Sequence, residues 1–493
     1  MTRAIYAVFS ILLYLALMRV SSLLASVNIL NSSSQLLLWS LWICVFLISI
    51  RIQIKPKLIT TLLVSIFLSS SFLFIAHDFF TFQFPSLSDS PTQFILRTYG
   101  HNHLGDLAGL TGVLVFIYPF STLISSILFP FIFIIMAISF SKSAFLGVIA
   151  VAAVVALQKK GAALVIFICI LIASCIPIAI YTSELSSFPP IASAQRVMKN
   201  TLHLEPKSIL SVRDSYFSQV FRAWKTSSIE QLLFGYGSGN YIYPSIKTGE
   251  TSDLTPAETH NIFLSIFIEN GALSLFWFVV FCTLIVVFGM QAKSPFLYPF
   301  IYLLANFQTD YTYIIPFFII LFFLFAGLSL NSFADYSKKG NKIYILALIC
   351  IVIFTLFSGL ALISIQNNIA SLERQLKSAL KSNNSHQVQI IITQLEAITP
   401  YEESKLVLWS AQQASVGNRR EAIRLLDKLS VYSPRWYLLY LPSLLDLMQK
   451  EGIQLRKYLE TRKNTFSSFP YSEKEKNSFN SICMGYAKMK CIW

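Results

Sequence analysis

The chain has 493 residues, of which 55% are apolar and 13% charged, and its mean hydropathy is +0.62. Soluble domains carry about 25% charged residues, so half the usual charge is missing. The deficit is local: residues 1–366 hold 20 Lys/Arg and 13 Asp/Glu, whereas the last 127 hold 18 and 11. That split excludes a uniformly soluble enzyme, a disordered chain and a fibrous repeat. It predicts an all-α protein, with a polytopic membrane helix bundle over 1–366 and a soluble helical domain over 367–493.

A membrane helix needs about 20 mostly apolar residues. Eleven stretches qualify in outline: 4–26, 35–50, 58–76, 104–120, 122–140, 143–157, 161–181, 262–289, 295–309, 312–330 and 343–365. Their apolar runs are continuous rather than alternating, which excludes β-barrel strands. Ten spans follow the first, so 4–26 reads as a signal anchor rather than a cleaved signal peptide.

The net charge of +14 is distributed in a way that does not suit nucleic acid. Basic residues cluster in short loops, at Arg51, Lys55 and Lys57, at Lys159 and Lys160, at Lys293, and at Lys338, Lys339 and Lys342. Cytoplasmic loops are enriched in Lys and Arg. With the N-terminus inside and eleven spans, all four clusters fall on the cytoplasmic side. Loop 77–103, the Ser141–Lys142 turn, the 79-residue loop 182–260 and the C-terminal domain then face outward.

Cys44, Cys169, Cys175, Cys282 and Cys350 lie in apolar spans and read as small core residues. Cys483 and Cys491 fall in the outward domain, where a disulfide between them stays open. No Cys/His spacing fits a zinc site, and no cofactor motif is present. In the tail, Pro400, Pro434 and Pro470 are 34 and 36 residues apart. Between the first two come Ala411, Ala414, Gly417, Asn418, Ala422, Leu426 and Leu429. A 34-residue period with a small-residue turn, an Ala-rich second helix and a closing Pro is the tetratricopeptide pattern. An unrelated helical bundle is the alternative.

Loop 182–260 is far longer than an ordinary connection, and such loops carry function or their own structure. Residues 208–225 read as a helix on which Tyr216, Val220 and Ala223 share a face, with Arg213 near its start. The loop ends at His260-Asn261, followed by Glu269-Asn270-Gly271. His260 abuts a long apolar helix from outside, and an imidazole titrates near neutrality, so it suits proton abstraction from a hydroxyl. The bland alternative is a helix-entry histidine bonded to backbone. Gly235, Gly237 and Gly239 form a turn that is neither a P-loop nor a dinucleotide fingerprint. Lys142 stands outward against the positive-inside trend; its partner is either a lipid phosphate or a bound diphosphate. Asn102, His103 and Asp310 lie near the outer ends of spans, and Asp106 and Glu269 are among the few acids within them. Glu269 reads equally as a helix–helix hydrogen-bonding residue.

Four segments together resemble the O-antigen ligase and polymerase superfamily of bacterial membrane glycosyltransferases. His260-Asn261, Leu264, Glu269 and Gly271 match its His-Asn-x-x-Leu-x-x-x-x-Glu-x-Gly pattern. Leu233 through Tyr241 is similar to its glycine turn, and a helix carrying Arg213, Tyr216 and Trp224 precedes it. Phe140-Ser141-Lys142-Ser143-Ala144 looks like the family's Ser-Arg-Ser/Gly-Ala segment, and Arg97 through Ala108 resembles its Asn-x-Leu-Ala segment. Lys142 replaces the usual Arg, keeping the charge and losing the bidentate fork.

The resemblance implies a GT-C-like bundle in the bacterial plasma membrane, without cofactor or metal requirement. It transfers a glycan from an undecaprenyl-diphosphate carrier to an acceptor hydroxyl. His260 would be the general base, and Arg213 and Lys142 would hold the diphosphate. Asn261, Glu269, Asn102, His103, Asp310, Gly237 and Gly239 would support them. Partners would be the lipid bilayer, the lipid-linked glycan and an acceptor: a lipid-core sugar, a growing glycan or an exported protein. The helical tail offers a surface for a protein partner. A lipid-linked glycan transporter and a non-catalytic scaffold are the readings from other classes.

Overall fold

In the computed structural model the described residues are 3–24, 26, 28–81, 95–139, 141–158, 220–241, 259–333, 338–399, 403–432, 434–467 and 473–488. Among them there are helices and turns and no strand. Six apolar helices come first: α1 (Arg3–Leu24), α2 (Ile29–Arg51), α3 (Pro56–Thr81), α4 (Ile95–Ile117), α5 (Thr122–Ser139) and α6 (Lys142–Gln158). After a helical stretch at 220–226 come α7 (Ile229–Phe234), α8 (Ile262–Gln291), α9 (Leu297–Asn306), α10 (Pro316–Ser329) and α11 (Lys338–Lys381). Ten of the eleven predicted spans fall on these helices, and 161–181 lies outside the described residues. Among the described residues, five helices are long and apolar enough to cross a membrane, and the apolar stretches of α4, α5, α6, α9 and α10 are shorter.

Local sequence sets the helix starts. The Asn28 side chain accepts from the Asn31 N–H and caps α2. Ser228 and Gln231 form a reciprocal capping box at α7. Pro316 sits at the first positions of α10, where the lost N–H costs nothing. Two expected boundaries shift. Asn102 and His103 are inside α4, which starts nine residues before the predicted span at 104. Lys142 is the first residue of α6 rather than part of a free turn.

The bundle core is aromatic. Trp39, Phe278, Phe281, Phe322 and Phe323 meet in edge-on, tilted and stacked pairs where α2, α8 and α10 converge. Around it α1 packs on α8, α2 on α10 and α11, and α4 on α5, α6 and α9.

The 44-residue helix α11 passes through residue 366 without a break. Its first half packs on α2 and its end on α12 (Ser385–Ile398). α13 (Glu403–Ser415), α14 (Arg419–Tyr432), α15 (Pro434–Lys450), α16 (Leu455–Ser467) and α17 (Glu473–Ala487) follow, and each packs on its neighbours in sequence. Their core, including Ile392, Trp409, Leu426, Tyr437 and Leu445, is separate from that of the bundle. Pro434 opens α15. Cys483 is buried and disulfide-bonded, while Cys491 lies outside the described residues.

Candidate functional site

Thr259-His260-Asn261 is held to the segment after α9 by backbone and side chain together. The Ile262 N–H donates to the Phe307 carbonyl at 2.9 Å. Asn261 caps α8, accepting from the Leu264 N–H at 3.0 Å, and its Nδ2 donates to the Gln308 carbonyl at 3.1 Å. The Thr259 hydroxyl donates to the Asn261 carbonyl at 2.6 Å and accepts from its N–H at 3.2 Å. Between these clamps His260 adopts φ +54°, a left-handed conformation that few non-glycine residues take. The result is an imidazole at the helix entrance, 24% exposed, with Nδ1 at 3.9 Å from Oδ1 of buried Asp310.

Behind Asp310 lies a buried hydrogen-bond hub. Oδ1 of Asp106, on α4, accepts from Ser141 at 2.6 Å, Ser143 at 2.8 Å and Asn306 Nδ2 at 2.7 Å. Tyr302 donates to the Asp106 carbonyl at 2.8 Å. Ser143 Oγ also reaches Asp310 Oδ2 at 3.4 Å, and Asn306 Oδ1 accepts from Thr312. One carboxylate thus joins α4, the start of α6 and the end of α9. Ser141 and Ser143 turn inward to it, while Lys142 between them is exposed. Lys142 stands at a helix N-terminus, where backbone N–H groups and the dipole also favour an anion.

His103 is buried on the same hub, with Nδ1 at 3.9 Å from Asp106 Oδ2. Donor atoms of His103, Asp106 and Asp310 lie within 4.8 Å of one another. The sequence spacing hides this cluster, because its members lie up to 207 positions apart in the chain. Asp106 Oδ1 is occupied by three donors, so the group is built first as a hydrogen-bond junction.

The glycine turn lies against a kink in α8. Glu269 Oε2 accepts from the Gly239 N–H at 3.0 Å, and the Glu269 carbonyl accepts from the Gly237 N–H at 2.8 Å. Ser238 Oγ donates to Asn270 Oδ1 at 2.5 Å. Asn240 Nδ2 donates to Ser32 Oγ at 3.1 Å, tying the turn to α2. Glu269 therefore holds the turn rather than joining the His260 cluster. Gly235, Gly237, Gly239 and Gly271 all have positive φ. A cavity of about 70 Å³ lies here, lined by Trp39, Trp42, Gly239, Ser265, Glu269 and Tyr313 among others.

A larger cavity of about 280 Å³ lies between α4, α5 and α6 and has only apolar lining.

The structure thus brings His260, Asn261, Asp310, His103 and the Lys142 segment to one end of the bundle. It adds Asp106, Ser141, Ser143 and Asn306, which the sequence alone did not single out as a unit. Gly237, Gly239 and Glu269 form a neighbouring second cluster. Arg213 and Tyr216 lie outside the described residues, as does the Asn102 side chain. No family model, curated protein or solved structure matches this chain.

Proposed function

We propose that the chain is a membrane glycosyltransferase of the O-antigen ligase kind. It takes a glycan from an undecaprenyl-diphosphate carrier at the extracytoplasmic face of a bacterial plasma membrane. The observation that carries this reading is the adjacency of His260, backed by Asp310, to the helix start that presents Lys142. A base and an anion seat at the entrance of an otherwise apolar bundle are what transfer from a lipid diphosphate requires.

In the proposed reaction His260 removes the proton from an acceptor hydroxyl, and Asp310 orients the ring and offsets the imidazolium charge. The acceptor oxygen bonds to the anomeric carbon as the bond from that carbon to the diphosphate oxygen breaks. The electron pair leaves with the isoprenoid diphosphate, whose charge Lys142 and Arg213 receive. No redox group enters this balance. The positive-inside distribution supports the outward placement of site and tail. The sequential helix hairpins of the tail support a tetratricopeptide-like surface for an exported protein acceptor or an assembly partner. A lipid-core sugar or a growing glycan is the other acceptor class.

The test follows donor consumption and product mass in proteoliposomes, comparing wild type with His260→Ala at equal expression. Loss of consumption in the variant supports the reading. Full activity in the variant removes His260 as base. A wild type inert towards every donor and acceptor offered moves the transporter or scaffold reading ahead.

A further inference from the structure

The two carboxylate oxygens of Asp106 do different things. Oδ1 takes three hydrogen bonds, from Ser141, Ser143 and Asn306. Oδ2 is buried, and among the described residues no group hydrogen-bonds to it. A buried carboxylate oxygen without a donor is costly, because the water that solvated it is lost and nothing replaces it. The three donors fix the plane of the carboxylate and hold Oδ2 towards His103 Nδ1, at 3.9 Å.

His103 and Asp106 are three residues apart on α4 and share one face. Asp310 comes to them from the link between α9 and the short helix Tyr311–Ile314. All three residues are buried. Their separations suit a shared ion better than a direct bond. A hydrogen bond from nitrogen to oxygen spans about 2.7–3.2 Å, so 3.9 Å is too long for one. Ligands that sit about 2.0–2.2 Å from one cation lie about 3–4.4 Å from each other. The His103–Asp106 distance falls inside that range, and donor atoms of all three residues lie within 4.8 Å of one another. The charges point the same way. Ser143 Oγ bridges the two carboxylates, 2.8 Å from Asp106 Oδ1 and 3.4 Å from Asp310 Oδ2. Two carboxylates joined through one hydroxyl in a buried site repel, and a dication beside both offsets that repulsion.

The geometry points to a divalent-cation site formed by His103, Asp106 and Asp310. One imidazole and two carboxylates suit Zn²⁺ or Mn²⁺, whereas Ca²⁺ prefers oxygen ligands alone and softer ions prefer thiolates. Ser141, Ser143 and Asn306 orient Asp106 as outer-shell partners orient a metal-bound carboxylate. The ion ties α4 to the segment after α9 and so holds Asp310, whose Oδ1 is 3.9 Å from His260 Nδ1. Its part is positioning. The proposed transfer balances without it, and the site stands or falls apart from that reading.

The test measures metal binding by the full chain in detergent, stripped with a chelator and then given Zn²⁺ alone or Mn²⁺ alone. The expected result is one ion per chain by elemental analysis after gel filtration, with a raised thermal midpoint. Bound Mn²⁺ should show imidazole nitrogen coupling in its electron spin-echo spectrum. Asp106→Asn keeps an acceptor for the hub, and His103→Phe keeps a ring beside Phe318. Each should weaken binding by about tenfold or more, and His103→Phe should also remove the nitrogen coupling. Asp106→Asn carries the assignment if His103→Phe fails to fold. His386→Ala, at an exposed position of α12, should bind as wild type does. Wild type that takes up neither ion, or binds Mn²⁺ without nitrogen coupling, overturns the proposal. Binding unchanged in Asp106→Asn and His103→Phe, or lost in His386→Ala, places the ion elsewhere and overturns it equally.

Discussion

Gly235 and Gly271 interlock across the contact between the glycine turn and α8. A Cβ on Gly235 would overlap the Glu269 carbonyl, and one on Gly271 would overlap the Leu233 carbonyl. Their φ values are +75° and +79°, and Gly271 is where α8 leaves helical geometry. Both strain and overlap therefore oppose any side chain. Gly271→Ala should destabilise the bundle by about 3 kcal/mol, read as a fall in thermal midpoint in detergent. Gly485→Ala, in helix α17 with nothing within 4 Å of the new methyl, should be neutral or slightly stabilising.

The three donors on Asp106 give a second expectation. Asp106→Ala strands the Ser141 and Ser143 hydroxyls and the Asn306 amide in a buried site. Each lost partner costs about 1–3 kcal/mol, so this variant should fold poorly. Asp106→Asn keeps an acceptor oxygen and should retain most of the thermal stability. Equal losses for both would show that the hub is not held through that oxygen.

His260→Ala should lower glycan transfer by roughly 10²–10⁴-fold, the usual yield of a positioned base. Asp310→Asn keeps the shape but not the charge beside His260. It should lower turnover less and move the pH dependence of the rate. A turnover and pH profile identical to wild type would separate Asp310 from the base.

The tail carries a pH-sensitive contact. Burial pushes the Glu396 carboxyl up, but hydrogen bonds from Arg424 and Lys428 and their charges outweigh it, leaving the group below its ordinary value of 4.5. Arg424 joins Glu396 to Glu421 at the same point, between α12 and α14. A lowered folded-state value means the stabilisation is fully present above the unfolded carboxyl's range, about 4.3. It is lost as pH falls through the folded value. Protection of the α12 and α14 amides, normalised to the intrinsic exchange rate at each pH, should therefore fall below that range in wild type, and Glu396→Gln should flatten the dependence. An unchanged profile would show that Glu396 does not set it.

Cys483 is disulfide-bonded inside the tail core. Reduction should weaken that end by about 2–4 kcal/mol, seen as faster exchange in α17 and α15. Non-reducing peptide mapping would identify the partner cysteine.

The sequence by itself determined the helical class, the placement of ten apolar helices among the described residues and the ends of several helices. These depend on local quantities: a run of apolar side chains, an Asn or Ser able to cap, a Pro at a first position. It also singled out His260 and Asn261, because a lone imidazole beside a long apolar run is visible in one dimension. It read Lys142 as part of a turn and not as a helix start, although Ser141, which caps that start by accepting from the Ala144 N–H at 3.2 Å, is a local signal. Glu269 remained ambiguous until the turn at Gly239 was found against it. Only the tertiary structure decided that Asp106, Ser143, Asn306 and Asp310 form one unit behind His260. They are separated by up to 204 residues, and a buried polar group finds its partner through helix packing, which no local pattern encodes. The apolar cavity has the same origin. It is the space left where α5 and α6 both lean on α4 and not on each other, a property of three packed surfaces rather than of any one stretch of chain.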